Sequence, residues 1–148
     1  MTPEQKLLEQ TSQLAQFGDT IGALNRRLRS LELSASVGNA WQTFSPASGY
    51  AAPSLGQGLR VAQVGSVVHV VGGANRTGGN VGSGAVTLLA NVPSALPDPS
   101  GRFYGSAWNV TSGVALETEI RSDRGIRIYG PIATSDEVSI QITYEGSP

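Results

Sequence analysis

The stretch FGDTIGALNRRLRSLEL, residues 17–33, places an apolar residue at nearly every third or fourth position, as a helix buried along one side does. It carries glycines at 18 and 22 and leads into a chain rich in glycine and in short alternating patterns. The fold follows from what that apolar stripe is buried against.

Upstream, Thr2-Pro3-Glu4-Gln5 has the residues of a helix start. Thr2 serves as N-cap, Pro3 takes the first helical position, and Gln5 completes a capping box. Counted in sevens, Leu7, Leu14, Ile21 and Leu28 share one position, a, while Gln10, Phe17, Leu24 and Leu31 share d. Seven of these eight are apolar over about four heptads, the pattern of a coiled coil. At about 1.5 Å per residue the seam runs on the order of 37 Å. Gly18 falls at e and Gly22 at b, off the seam, where each weakens the helix by about 1 kcal/mol relative to alanine without removing a core contact. A lone helix so weakened is marginal, so the expected partners are copies of itself, with these eight residues as the interface. Mixed leucine and isoleucine at a, leucine at d, a bulky Phe17 and a polar Gln10 fit three chains, and the a/d rules leave a dimer open. Arg26, Arg27 and Arg29 fall in the expected last turns, where they complement the helix dipole. In a parallel assembly Arg27, at g, reaches Glu32, at e, of a neighbour. The competing arrangement is two short helices, residues 4–16 and 20–33, broken at Gly18-Asp19 and packed on the same chain.

After Leu33 the plan changes. Nearly all of the 19 glycines and 8 prolines lie beyond residue 37. The expected organisation is a coiled-coil helix over 1–33, a small-residue linker over 34–40 and a β head domain over 41–148. Strand patterns occur at 59–64, 66–71, 86–92, 103–110, 114–121, 126–129 and 138–145. In the last, Val138, Ile140, Ile142 and Tyr144 share a dry face opposite Ser139, Gln141, Thr143 and Glu145. In the fifth, Val114, Leu116, Thr118 and Ile120 oppose Ala115, Glu117, Glu119 and Arg121. Short strands at regular spacing without helical patterns between them indicate a mainly β head, an antiparallel sandwich or barrel. Asp123-Arg124-Gly125 reads as a hairpin turn with Gly125 at positive φ. Residues 72–84, GGANRTGGNVGSG, read as a long mobile loop or a glycine-bearing edge that packs closely on another chain.

Composition narrows the function. The formal charge is −1 and 14% of residues are charged, against a nucleic-acid surface. No apolar run approaches the roughly 20 residues of a bilayer span, and Met1 leads into polar helix-like sequence rather than a signal. With no cysteine and one histidine, neither a thiolate nor a histidine-rich metal site is expected, and no cofactor motif is present. His69, on a strand face with Val67 and Val71, reads as a structural residue with one satisfied nitrogen. Glu117 and Glu119, about 7 Å apart by the strand repeat, are the pair a glycosidase reading would use, although acids on a wet face beside Arg121 read first as solvated surface. Asp123 and Asp136 flank loops that a calcium ion at a subunit junction would suit. Asn75-Arg76-Thr77 and Asn109-Val110-Thr111 fit the glycosylation pattern, which matters only in a secreted eukaryotic protein. Among aromatics, Trp108 shares a strand face with Tyr104, Ser106 and Val110, and Trp41, Phe44 and Tyr50 fall near the domain entrance. Sugar stacking is the functional reading of Trp108, and burial in the core is the expected one.

A short N-terminal coil, a small-residue neck and an all-β domain carrying LRVAQVGSVVHVVGG, VTLLANVP, GRFYGSAW, GIRIYG and a closing VSIQITYEG resemble the C-terminal head domains of bacteriophage tail fibres and related small virion proteins. The resemblance covers about residues 40–146 and transfers no binding residue. It implies a homotrimer on the exterior of a virion, contacting other virion proteins. The expected function is a non-enzymatic short tail fibre or minor tail protein whose head faces outward toward a host-surface glycan. A capsid head fibre or decoration protein without a receptor role is the alternative.

Overall fold

A computed structural model describes residues 2–38, 41–54 and 56–148, with side chains over these ranges except in 30–38. The chain divides into two compact units, residues 1–38 and 39–148.

The first unit is one unbroken helix, α1 (Pro3–Gly38). Its start is the capping box read from the sequence. The Gln5 N–H donates to Thr2 Oγ1 (3.2 Å) and the Thr2 N–H donates to Gln5 Oε1 (2.9 Å), so two end donors are satisfied reciprocally. The helix runs through Gly18-Asp19 without a break and takes in Ser34–Gly38, five residues assigned above to the linker. Helix hydrogen bonding there outweighs the weak propensity of a small-residue run. Because the helix is longer than expected, Arg26, Arg27 and Arg29 are not in its last turn, and the dipole argument for them does not hold.

The second unit is mainly β. Its strands are β1 (Gln42–Thr43), β2 (Tyr50–Ala51), β3 (Arg60–Val64), β4 (Val67–Arg76), β5 (Val86–Asn91), β6 (Phe103–Asn109), β7 (Val114–Ile120), β8 (Gly125–Tyr129) and β9 (Glu137–Glu145). All strand pairs are antiparallel and form one sheet in the order β1-β3-β4-β9-β6-β7-β8-β5, with β2 beside β4. The sheet curls toward closure rather than stacking as two layers. The chain leaving β1 extends its pairing with β3 and then reaches the opposite edge: the Phe44 N–H donates to Leu59 O (3.1 Å) and the Ala47 N–H to Leu89 O of β5 (2.8 Å). The exposed row of β5 is thereby partly covered.

The centre is the nine-residue ladder between β4 and β9, from Val67↔Glu145 to Asn75↔Glu137. Val138, Ile140, Ile142 and Tyr144 of β9 point inward as the alternation required, meeting Val68, Val70, Leu89, Ile120, Ile126 and Ile128 in a single core. Burying such side chains contributes roughly 1.5–3 kcal/mol each relative to exposure.

Two loop readings are corrected. The first half of the glycine-rich run is strand: Gly72–Asn75 pairs with Glu137–Ile140, because a complementary hydrogen-bonding partner overrides poor strand propensity. The second half is pinned by the Val81↔Ile132 and Ser83↔Gly130 bridges. At the Asp123-Arg124-Gly125 turn, Arg124 rather than Gly125 takes positive φ, 68°. The Arg124 guanidinium, paired with Asp98 and donating to Pro93 O (2.9 Å) and Leu96 O (2.8 Å), holds that conformation. A Cβ at Gly125 would come within 2.9 Å of Arg127 Nη1 and 3.1 Å of Leu88 Cδ1, so a larger residue there would make these side-chain ends shift.

Candidate functional site

Two surfaces stand out, one on each unit. On α1, Leu7, Gln10, Leu14, Phe17, Ile21, Leu24 and Leu28 are all exposed, Leu14 by 73% and Ile21 by 54%. The side chain of Leu31 lies outside the described residues. Gly18 has nothing within 4 Å of where a Cβ would stand.

On the head the pleat decides the site. Trp108 is half exposed (48%), so the expectation that it belongs to the core is wrong. Its face was read correctly: Tyr104, Ser106, Trp108 and Val110 all point outward. The missing information was register. Trp108 pairs with Ser139, and Ser139 pairs with Gly73, so the indole stands next to two small residues that leave its flank open. The adjacent row reads Arg60, Val71, Gln141, Ser106 across β3, β4, β9 and β6. These two rows floor an open cleft of about 520 Å³ that Gln57 and Glu137 also line. An aromatic shelf ringed by amide, hydroxyl, carboxylate and guanidinium groups can stack a ring and hydrogen-bond its edge.

Beside the cleft, Arg60 lies over the Trp41 ring at 5.5 Å, an arrangement in which a cation is attracted to the aromatic face. Tyr50 is buried and bonded to Thr87 (2.6 Å), and Phe44 packs half-buried on the core, so of the three entrance aromatics only Trp41 is surface.

The catalytic and metal candidates are engaged elsewhere. Glu119 faces outward, as read, but is not solvated: it is 1% exposed beneath a canopy of side chains. Arg102 Nε (2.7 Å), Arg121 Nη2 (2.6 Å) and the Tyr129 hydroxyl (3.0 Å) donate to its carboxylate. Burial pushes the Glu119 carboxyl up, but hydrogen bonds from Arg121 and Tyr129 and the charges of Arg102 and Arg121 outweigh it, holding the group below the usual carboxylate range. A glycosidase acid needs the opposite shift, and the other acid of the pair, Glu117, is exposed. Asp123 is chelated by Arg127 (3.1 and 2.6 Å) and accepts the Gly125 N–H (2.9 Å), which lowers it to about 2. Asp136 accepts from Asn109 Nδ2 and the Ala133 N–H, each at 2.8 Å. Among the described residues no group of three or more His, Asp or Glu is placed to hold a metal ion. His69 Nδ1 bonds Thr143 Oγ1 (3.0 Å), the single satisfied nitrogen its strand position called for.

No family model and no curated protein matches the chain. Among solved structures, the head domain of lactococcal phage bIL170, described under the question of a common fold for receptor-binding domains, aligns with a TM-score of 0.52 at 18% identity. The alignment covers 74% of this chain and 99% of that one. The receptor-binding protein gp15 of Listeria phage PSA aligns with a TM-score of 0.52 at 20% identity, over 85% of this chain and 78% of that one. At these identities the likeness establishes the fold: the head is built like phage receptor-binding head domains.

Proposed function

We propose that this chain is a non-enzymatic structural protein of a bacteriophage particle, a homotrimeric short tail fibre or minor tail protein. Its helix associates through Leu7, Gln10, Leu14, Phe17, Ile21, Leu24, Leu28 and Leu31, and its head contacts a glycan of the host surface through the Trp108 cleft. The observation that carries this reading is the combination in one chain. An uninterrupted helix presents exposed apolar residues on a heptad seam, and the β head has the fold of two phage receptor-binding domains. Apolar groups at a and d of a water-exposed helix lack a partner that sister helices supply. An exposed tryptophan in an open polar cleft supplies a stacking surface of the kind sugars occupy.

The test is adhesion. Fluorescently labelled chain should decorate host cells, unlabelled chain should compete with intact particles, and Trp108→Ala should reduce cell binding at least tenfold while leaving the far-ultraviolet spectrum unchanged. Labelled antibody should find the protein at the tail. Labelling confined to the capsid shell, with no host adhesion, would replace this reading by the decoration one.

A further inference from the structure

The head contains six arginines, and five are held by oxygen acceptors. Arg76 donates to Gly79 O and Gly49 O, Arg102 and Arg121 to Glu119, Arg124 to Asp98 and two carbonyls, and Arg127 to Asp123. Arg60 differs. Its Nε is enclosed, and among the described residues Nε meets no acceptor and no carboxylate pairs with the guanidinium. A guanidinium has five N–H donors, and leaving an enclosed one unmet is costly. Arg60 also lines the Trp108 cleft.

The strand register fixes the order of groups along that cleft. Arg60 pairs with Val71, Trp108 lies in the row of Gly73, and Glu137 pairs with Asn75. Each step is two residues along β4, so the rows of Arg60 and Glu137 lie about 13 Å apart along the strand direction, with the indole row between them, and the two residues are two strands apart across the sheet. Across the sheet, Arg60 is three strands from Trp108, about 15 Å between Cα positions, so a ligand that meets both side chains extends beyond the ring stacked on Trp108. The cleft is therefore polarised, positive at Arg60 and acceptor-rich at Glu137.

We infer that this cleft selects an acidic saccharide, one ring stacked on Trp108 and a carboxylate or phosphate substituent on the neighbouring ring accepted by Arg60, with ring hydroxyls donating to Glu137. This rests on the cleft being the host-facing surface and adds that Arg60 makes it discriminate for negative charge. An oxyanion in the cleft pairs with the outer amino groups of the Arg60 guanidinium, which no carboxylate among the described residues neutralises, and charge-assisted bonds are the stronger ones.

The experiment uses the full chain labelled with nitrogen-15, whose two indole N–H signals report Trp41 and Trp108 separately. The probes are cellobiose, its 6′-phosphate, the corresponding uronic acid, and inorganic phosphate alone. Both charged disaccharides should shift the Trp108 signal and bind about fivefold to tenfold more tightly than cellobiose. Arg60→Gln should erase that preference, so that this variant binds the charged sugars no more tightly than it binds cellobiose, Arg60→Lys should restore part of it, and Trp108→Ala should abolish binding of all three sugars. Preference for only one charged probe identifies the oxyanion. Inorganic phosphate binding as tightly as the sugar phosphate contradicts a saccharide site. Equal affinity for cellobiose and the acidic sugars, or a preference that survives Arg60→Gln, overturns the inference while the host-binding reading stands. If the acidic sugars bind as described but labelled chain fails to adhere to host cells, it is the host-binding reading that fails.

Discussion

Glu119 shows how a single residue can be placed correctly by pattern and misjudged in environment. Period-two alternation put it on the outer face, but its cover comes from Arg102, ahead of β6, and Tyr129, on β8, two elements that no local pattern connects. Glu119→Gln leaves the paired arginines facing a neutral amide, and we predict a loss of about 2 kcal/mol in urea unfolding, against no measurable loss for Glu117→Gln. The same carboxylates set the acid limit. Asp123 and Glu119 both have folded values below their unfolded ones, so the stability they add is complete above about pH 5 and is lost as pH falls toward 2. Asp123 is more than half exposed, so Asp123→Asn should flatten that acid slope only slightly. At the alkaline end burial raises Tyr144 to about 12, so its contribution is complete below pH 10 and fades between 10 and 12. Denaturation midpoints measured across both ranges check the signs. Gly105 offers a packing test: a Cβ there would come within 2.7 Å of Ile142 Cβ, and Gly105→Ala should cost about 1–3 kcal/mol.

At the scale of elements, seven strands and the helix start were legible because each rests on local chemistry: alternation for the strands, a capping box for α1. What was not legible depended on partners distant in sequence. Gly72–Asn75 became strand because Glu137–Ile140 offered a ladder, and Trp108 became surface because Ser139 and Gly73 are its row neighbours. The two-residue strands β1 and β2 lacked any pattern long enough to show. The sheet's construction predicts a graded response to hydrogen exchange. Amides of Val70 and Ile142, in the middle of the central ladder, should exchange slowest among the head residues. Those of Phe44 and Ala47, single bonds from the closing segment to the residue before β3 and to the edge strand β5, should exchange faster by at least a hundredfold. Equal protection would mean the closing segment opens only with the whole head. On the helix, Gly18→Ala adds about 1 kcal/mol of helix stability, because its position is open and its only cost is backbone freedom. A higher melting temperature for the helical signal alone is the expected result.

For the whole molecule, the account rests on sister chains covering the stripe of Leu14, Phe17, Ile21 and Leu28. Under the proposed function the two surfaces serve different ends: helices that join copies would multiply a weak cleft into an avid one, since linked sites gain affinity without new contacts. The most direct test is the solution mass of the full chain by sedimentation equilibrium, before and after Leu14→Asp with Ile21→Asp. The account predicts three times the 15.3 kDa chain mass for the unmodified protein and, for the double variant, a single chain whose head keeps its β spectrum. A monomeric unmodified protein, or an oligomer whose mass the two aspartates leave unchanged, would contradict it.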